Sequence, residues 1–319
     1  MDGGYVAAGY ADHLTDADLT LLASVGGSGG ESLAGAAPRL RRHPDELPRL
    51  LGHPQVFRAV FGPGDARSGP AVQASLASPF LIFAVAVHSA AAELQSMDHV
   101  PELSGPRQRV PLFDAPDLRD FLSSPARRLF LAELLASFTR VRGGVTSGQY
   151  AAAAGTAGGP GAVTARPGSL GGSRGRRPRR LSEFDLPRMA RQLEEVPEAD
   201  RPGVYRRLGD VALFLTGVFP DYAVAHALGP VSAERLLRAA RVPAWERDQL
   251  AAAPALDLFE YLGAQWYRAA WALARTRTAS LGVVAEVADR FRQARRVLNH
   301  IADRRLFPEG NPWFPTPAP

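Results

Sequence analysis

Few side chains in this 319-residue sequence stand in company that could do chemistry. Ser28 lies in VGGSGG (25–30) as Gly26-x-Ser28-x-Gly30, formally the nucleophile-elbow spacing of serine hydrolases. That elbow needs a strand before the serine and a helix after it, so that the hydroxyl is held on a strained turn. A helix pattern precedes Ser28 instead, and the motif reads as a loop between helices. His300 and Asp303, at i and i+3, share a helix face with Arg296 one turn earlier. A metal would want two or more further ligands, and no His-Glu-x-x-His, Glu-x-x-His or His-x-His occurs in the chain. Polar contacts between helices account better for the pair. His88, inside PFLIFAVAVHSAAAEL (79–94), reads as a core histidine bonded to a carbonyl, with Glu93 pointing elsewhere. In QLEEVPEAD (192–200) the acids Glu194, Glu195, Glu198 and Asp200 would need burial to split their pKa values before they could act as acid and base. Next to Pro197, Arg191 and Arg201 they read as a solvated helix end. No catalytic, cofactor-binding or metal-ligating residue is therefore assigned, and no cofactor is expected.

Composition removes further classes. There is no cysteine, which excludes disulfides, thiol nucleophiles and thiolate metal sites. There is no lysine either, so all 37 basic residues are arginine, which removes the P-loop lysine and every Schiff-base mechanism. The abundance of Ala, Gly, Pro and Arg is that of a GC-rich bacterial genome. The first residues, MDGGYVAAGYADHLTDADL, are acidic and lack a continuous apolar run, so a cytoplasmic protein is expected. The longest apolar runs, 79–94 and 211–219, fall short of the ~20 residues of a bilayer crossing, and no membrane partner is expected.

The elements that would carry any site are helical. Residues 143–182 are poor in large apolar side chains and contain no acid, so they cannot offset the entropy of ordering and read as a flexible Gly/Ala/Arg-rich linker. Its six arginines exceed the formal net charge of +5, which leaves the rest of the chain slightly negative. The expected plan is all-α: an N-terminal helical domain (1–142), the basic linker (143–182), a C-terminal helical domain (183–306) and a Pro/aromatic tail (307–319). Thr15 and Asp18 announce a helix over 16–24, Ser124-Pro125 announces another, and RQRVPLF (107–113) suggests a brief extended piece. No hairpin signal or fixed-length repeat is found. In RRLGDVALFLTGVFPDY (206–222), Leu208, Val211, Ala212, Leu215, Val218 and Phe219 make one helical stripe, Thr216 can bond back one turn, and Pro220 forces the exit. A single amphipathic helix is expected over 280–306, packed on one face, and a helix apolar on two faces over 259–274.

LGDVALFLTGVFPDY (208–222) followed by YLGAQWYRAAWALA (261–274) resembles a pairing found in bacterial helical proteins, a D-x-x-LF-x-x-G-x-FP helix before a YLG-x-x-x-Y helix. The resemblance implies a C-terminal helical domain and brings no activity with it. Three functional readings follow. The first is a non-enzymatic protein whose partner is another protein. The second is nucleic-acid association through Arg174, Arg176, Arg177, Arg179 and Arg180, whose forks match phosphate geometry although no aromatic is interleaved for stacking. The third is a helical enzyme or ligand-binding protein with a pocket lined by Tyr261, Trp266, Tyr267 and Trp271. Trp313 and Phe314, between prolines in the tail, could clamp onto the body or enter a partner's groove.

Overall fold

Proline in the first turn opens many of the helices, where its missing N–H has no partner to lose. The computed structural model describes residues 2–25, 35–62, 77–105, 108–139, 184–225 and 228–307. In chain order the elements are α1 (Asp2–His13), α2 (Asp16–Val25), α3 (Ala36–Arg42), α4 (Leu47–Leu51), α5 (Pro54–Phe61) and α6 (Pro79–Glu93). An antiparallel hairpin follows, β1 (Val100–Gly105) and β2 (Gln108–Leu112), then α7 (Ala115–Ser123) and α8 (Pro125–Ser137). After the gap in the description come α9 (Leu186–Glu195), α10 (Arg201–Val218), α11 (Pro220–Ala225), α12 (Pro230–Ala239), α13 (Ala244–Ala251), α14 (Ala255–Leu273), α15 (Ala279–Asp289) and α16 (Phe291–Ile301). The fold is all-α with this one two-stranded addition. Its hairpin pairs Val100 with Leu112 and Pro101 with Pro111; the extended piece expected over 107–113 is β2, and its partner β1 was not expected.

Local signals place the helix ends. The Ser124 and Ser78 hydroxyls accept from the backbone N–H groups of Arg127 and Leu81 at the starts of α8 and α6. Thr15 and Asp18 bond reciprocally, side chain to backbone, at the start of α2. The second oxygen of Asp18 accepts from the Ser78 N–H at 2.8 Å, so one buried carboxylate caps α2 and anchors α6. Thr216 Oγ1 donates to the Ala212 carbonyl at 2.7 Å, and α10 ends at Phe219, before Pro220.

Two apolar clusters form the core. One lies wholly within the first 140 residues and joins α1 to α6 with one side of α8. The other draws on both sides of residues 140–183, bringing Phe83, Leu131 and Phe138 together with Phe214, Tyr267 and Leu298. Apolar packing therefore does not divide where the composition does. Pro79–Ser96 is apolar and long enough to count as a candidate membrane span, with a mean hydropathy of 1.2 over 18 residues. Within it Phe80 to His88 are buried without a break among the other helices, the position of a core helix.

The most extensive helix pairing among the described residues is α10 with α14. It needs glycine: a Cβ on Gly209 would run into the Tyr267 ring, and at the separate contact of α14 with α16 one on Gly263 would run into Phe291. The glycines of the quoted motifs thus serve packing: Gly209 lets α10 approach α14, and Gly217 and Gly263 let α16 approach α10 and α14. As expected, α14 is buried on two sides, with Trp266 and Tyr267 fully enclosed.

The single helix expected over 280–306 is broken. Arg290 leaves helical geometry (φ −124°, ψ 33°), and α16 runs on after Ile301 into a wider π-helical turn over Ala302–Leu306. No glycine or proline marks the break. It turns Phe291 inward, where its ring lies 5.8 Å from that of Tyr267. The expectation of burial on one face also falls, since Arg295, Asn299 and His300 of α16 are buried along with Val297, Leu298 and Ile301.

Replacing Gly209 by alanine is expected to cost about 2 kcal/mol, the usual scale of overpacking. Urea denaturation checks this, with a lower midpoint at unchanged slope as the expected outcome.

Candidate functional site

The buried ionisable groups come first, because a hidden catalytic centre would be built from them. Asp210, in the middle of α10, accepts a hydrogen bond from the Tyr267 hydroxyl of α14 at 2.8 Å. Burial pushes its carboxyl pKa up, against the pull of nearby Arg206 and Arg207 and of the Tyr267 bond. Burial and the Asp210 charge push the phenol well above its ordinary value. Arg206 and Arg207 are turned to other partners, Ser280 at 3.3 Å and Ser137 at 3.4 Å, and Arg207 also lies 4.2 Å over the Phe138 ring. Asp210 is the first position of the D-x-x-LF-x-x-G-x-FP pattern, with no site role read from it there; an acid inside an otherwise apolar helical stripe is the readable signal.

His88 bonds to the Tyr10 hydroxyl through Nε2 at 3.0 Å, not to a carbonyl as expected. Burial and the Arg128 charge bring its pKa down to about 3, so the ring stays neutral in ordinary buffers. His300 does make the expected contact between helices. Its Nε2 lies 3.4 Å from Glu93 Oε2 on α6, and burial lowers its pKa although Glu93 opposes this. Glu93, expected to point away from chemistry, also pairs with Arg304 and Arg305. Beside it Arg295 pairs with Glu260 and Glu102, Arg296 with Glu102 and Asp114, and Arg292 with Glu260. Each of these groups has an oppositely charged or hydrogen-bonding protein group beside it, although both ring nitrogens of His300 are buried without a hydrogen bond among the described residues, and none of them lines the cleft between α9 and α12.

The aromatic pocket is not assembled. Trp266 and Tyr267 are fully enclosed, the Tyr261 hydroxyl donates to Glu246 at 3.1 Å, and Trp271 lies beneath the Arg277 guanidinium at 4.8 Å. Adjacent residues on a helix point about 100° apart, so Trp266 and Tyr267 could share one pocket only if it wrapped the helix. Ser28, Trp313, Phe314 and the arginines Arg174, Arg176, Arg177, Arg179 and Arg180 lie outside the described residues. The four acids of 192–200 are exposed, as a solvated helix end should be. Among the described residues no three His, Asp or Glu side chains gather in a metal-ligating group.

Unspent charge is found elsewhere, in an open cleft of about 690 Å³ between α9, α12 and the first turns of α10. Asp185 caps α9 through the Arg188 N–H at 3.0 Å, and Leu186, Met189, Ala190 and Leu193 face the core, so Arg191 and Glu194 are left outward. On α12 Ala233, Leu236 and Leu237 are buried, and the opposite stripe of Val231, Glu234, Arg235 and Arg238 borders the cleft. Five arginines and two glutamates line it. Glu234 is neutralised by Arg238 and Arg247 at 3.0 and 2.9 Å, and hydrogen bonding from Arg247 holds its pKa low. Arg201 donates to the Val196 carbonyl at 3.3 Å. Arg191, Arg235 and Arg241 are exposed and make no such contact among the described residues.

Arg241 is placed by an unusual backbone. The Val242 N–H bonds to the Leu237 carbonyl and the Arg241 N–H to that of Arg238, the paired bonds of a Schellman turn at the end of α12. The residue at its turning point takes left-handed geometry, normally glycine's, and here it is Arg241 at φ 60°. An arginine at that point carries a conformational cost that glycine would not.

Comparison with family models, with curated proteins and with solved structures finds no match to this chain.

Two outcomes follow. Because burial raises the Asp210 pKa in the folded protein above that of the unfolded chain, its stabilising contribution is full below pH 3.8 and declines as pH rises through the raised folded value. Measured by urea denaturation over that window, the stability of wild type relative to Asp210→Asn is expected to fall with rising pH. Arg241→Gly, which relieves the left-handed residue, is expected to raise the unfolding free energy by about 1 kcal/mol in the same assay.

Proposed function

We propose that this chain acts by binding another protein and performs no covalent chemistry of its own. The observation that supports this reading is how charge is distributed. The buried acids, histidines and tyrosines that could have formed a reaction centre are joined to one another inside the packing. Three guanidiniums without a protein partner among the described residues, those of Arg191, Arg235 and Arg241, stand together on one open, partly apolar cleft. An enzyme needs reactive groups that meet solvent or substrate in a cavity, whereas a binding module needs exposed groups that an incoming surface can satisfy. Val231, 73% exposed beside those arginines, adds apolar area for a partner to cover.

Affinity capture from a host lysate, with wild type and with the double variant Arg191→Glu/Arg235→Glu, tests the reading. A discrete protein is expected to be retained by wild type after nuclease treatment and lost by the variant. Capture that disappears with nuclease would replace this reading with nucleic-acid association through Arg174–Arg180.

A further inference from the structure

We infer that the cleft between α9 and α12 recognises an acidic protein segment, one whose Asp or Glu carboxylates flank a small aliphatic side chain. This rests on the protein-binding reading and names the partner's chemistry.

Charge complementarity is the first argument. Arg191, Arg235 and Arg241 are exposed and without a partner among the described residues, and they approach the cleft from both of its walls. Guanidinium forks pair with carboxylates through two parallel hydrogen bonds, which gives an acidic segment direction as well as attraction. The left-handed backbone at Arg241 is the second, independent argument. A glycine would relax the turn, and the arginine instead delivers a third cation to the rim.

The lining also selects among anions. Glu194 stands in it without a cation bonded to it among the described residues, so the cleft is not uniformly cationic and favours anionic groups spaced to meet the arginines and avoid Glu194. The one aromatic in the lining, Tyr205, is only 4% exposed, so bases have no ring to stack on. Pro230, Val231 and Ala239 supply instead an aliphatic strip for a short side chain. The chain's own residues 143–182 contain no acid and cannot be the occupant.

The test is fluorescence polarisation with the full chain and a labelled peptide of alternating Glu and Leu, about a dozen residues long. A peptide with Gln for every Glu and a uridine oligonucleotide of equal charge serve as competitors. The Glu peptide is expected to bind with an affinity that falls as salt rises, and the Gln peptide at least tenfold more weakly. Arg191→Glu/Arg235→Glu is expected to lose at least tenfold with an unchanged urea midpoint. Arg241→Gly is expected to bind several-fold more weakly while its urea midpoint rises, a combination that general unfolding cannot produce. Equal binding of the Gln peptide, displacement by the oligonucleotide at lower concentration than by the Glu peptide itself, or wild-type affinity in the double variant would overturn the inference. If the peptide fails while a captured protein still depends on Arg191 and Arg235, only the acidic preference falls. If capture is also indifferent to those arginines, the protein-binding reading falls with it.

Discussion

The close approach of α10 and α14, held by the Tyr267–Asp210 hydrogen bond at 2.8 Å, is the contact on which the rest of the packing depends. Gly209 gives the Tyr267 ring room, Gly263 admits Phe291, and Phe291 in turn fixes where the chain must turn at Arg290. The Phe130 ring of α8 meets the edge of Tyr267 at 6.0 Å, so the first half of the chain is referenced to the same side chain. A buried carboxyl bonded to a phenol adds little net stability, but removing one partner leaves the other stranded, and that asymmetry fixes one register of the helix pair.

A second layer of specification lies along α16. Its arginines and those of the following turn meet acids supplied mostly by the first half: Glu93 of α6, Glu102 of β1 and Asp114 before α7. Partly buried ion pairs of this kind gain little over apolar packing, because desolvation offsets most of the attraction. Their consequence is geometric. Arg295, whose side chain is 4% exposed, must bring both Glu260 and Glu102 to itself, which ties the hairpin and α14 to one helix. The small hairpin, too slight to stand alone, is held in place from outside.

These inward pairings also define what the surface retains. With the buried histidines kept neutral or engaged and the buried acids paired, the open cleft at α9 and α12 carries three guanidiniums with no protein counterpart among the described residues. The Schellman turn that ends α12 would form more easily with glycine, and its hydrophobic contact, Leu237 with Val242, is already in place.

The sequence by itself determined the helical class, the helix starts at Ser124 and Thr15, the exit at Pro220 and the backward bond of Thr216. Each of these is a contest settled within one or two turns, between a cap or proline and the nearest backbone groups. It also determined that 259–274 would be buried on two sides, since that periodicity survives any choice of neighbour. Only the tertiary structure decided the break at Arg290, the hairpin, the Tyr10 partner of His88, the dispersal of the four aromatic residues and the cleft. The break answers to Phe291 finding Gly263, and His88 to a tyrosine 78 residues earlier. The arginine stripe of α12 was legible as amphipathic, but its facing wall comes from another helix. Whether exposed charges meet a partner or stay unsatisfied depends on which faces come together, and spacing along one helix cannot encode that.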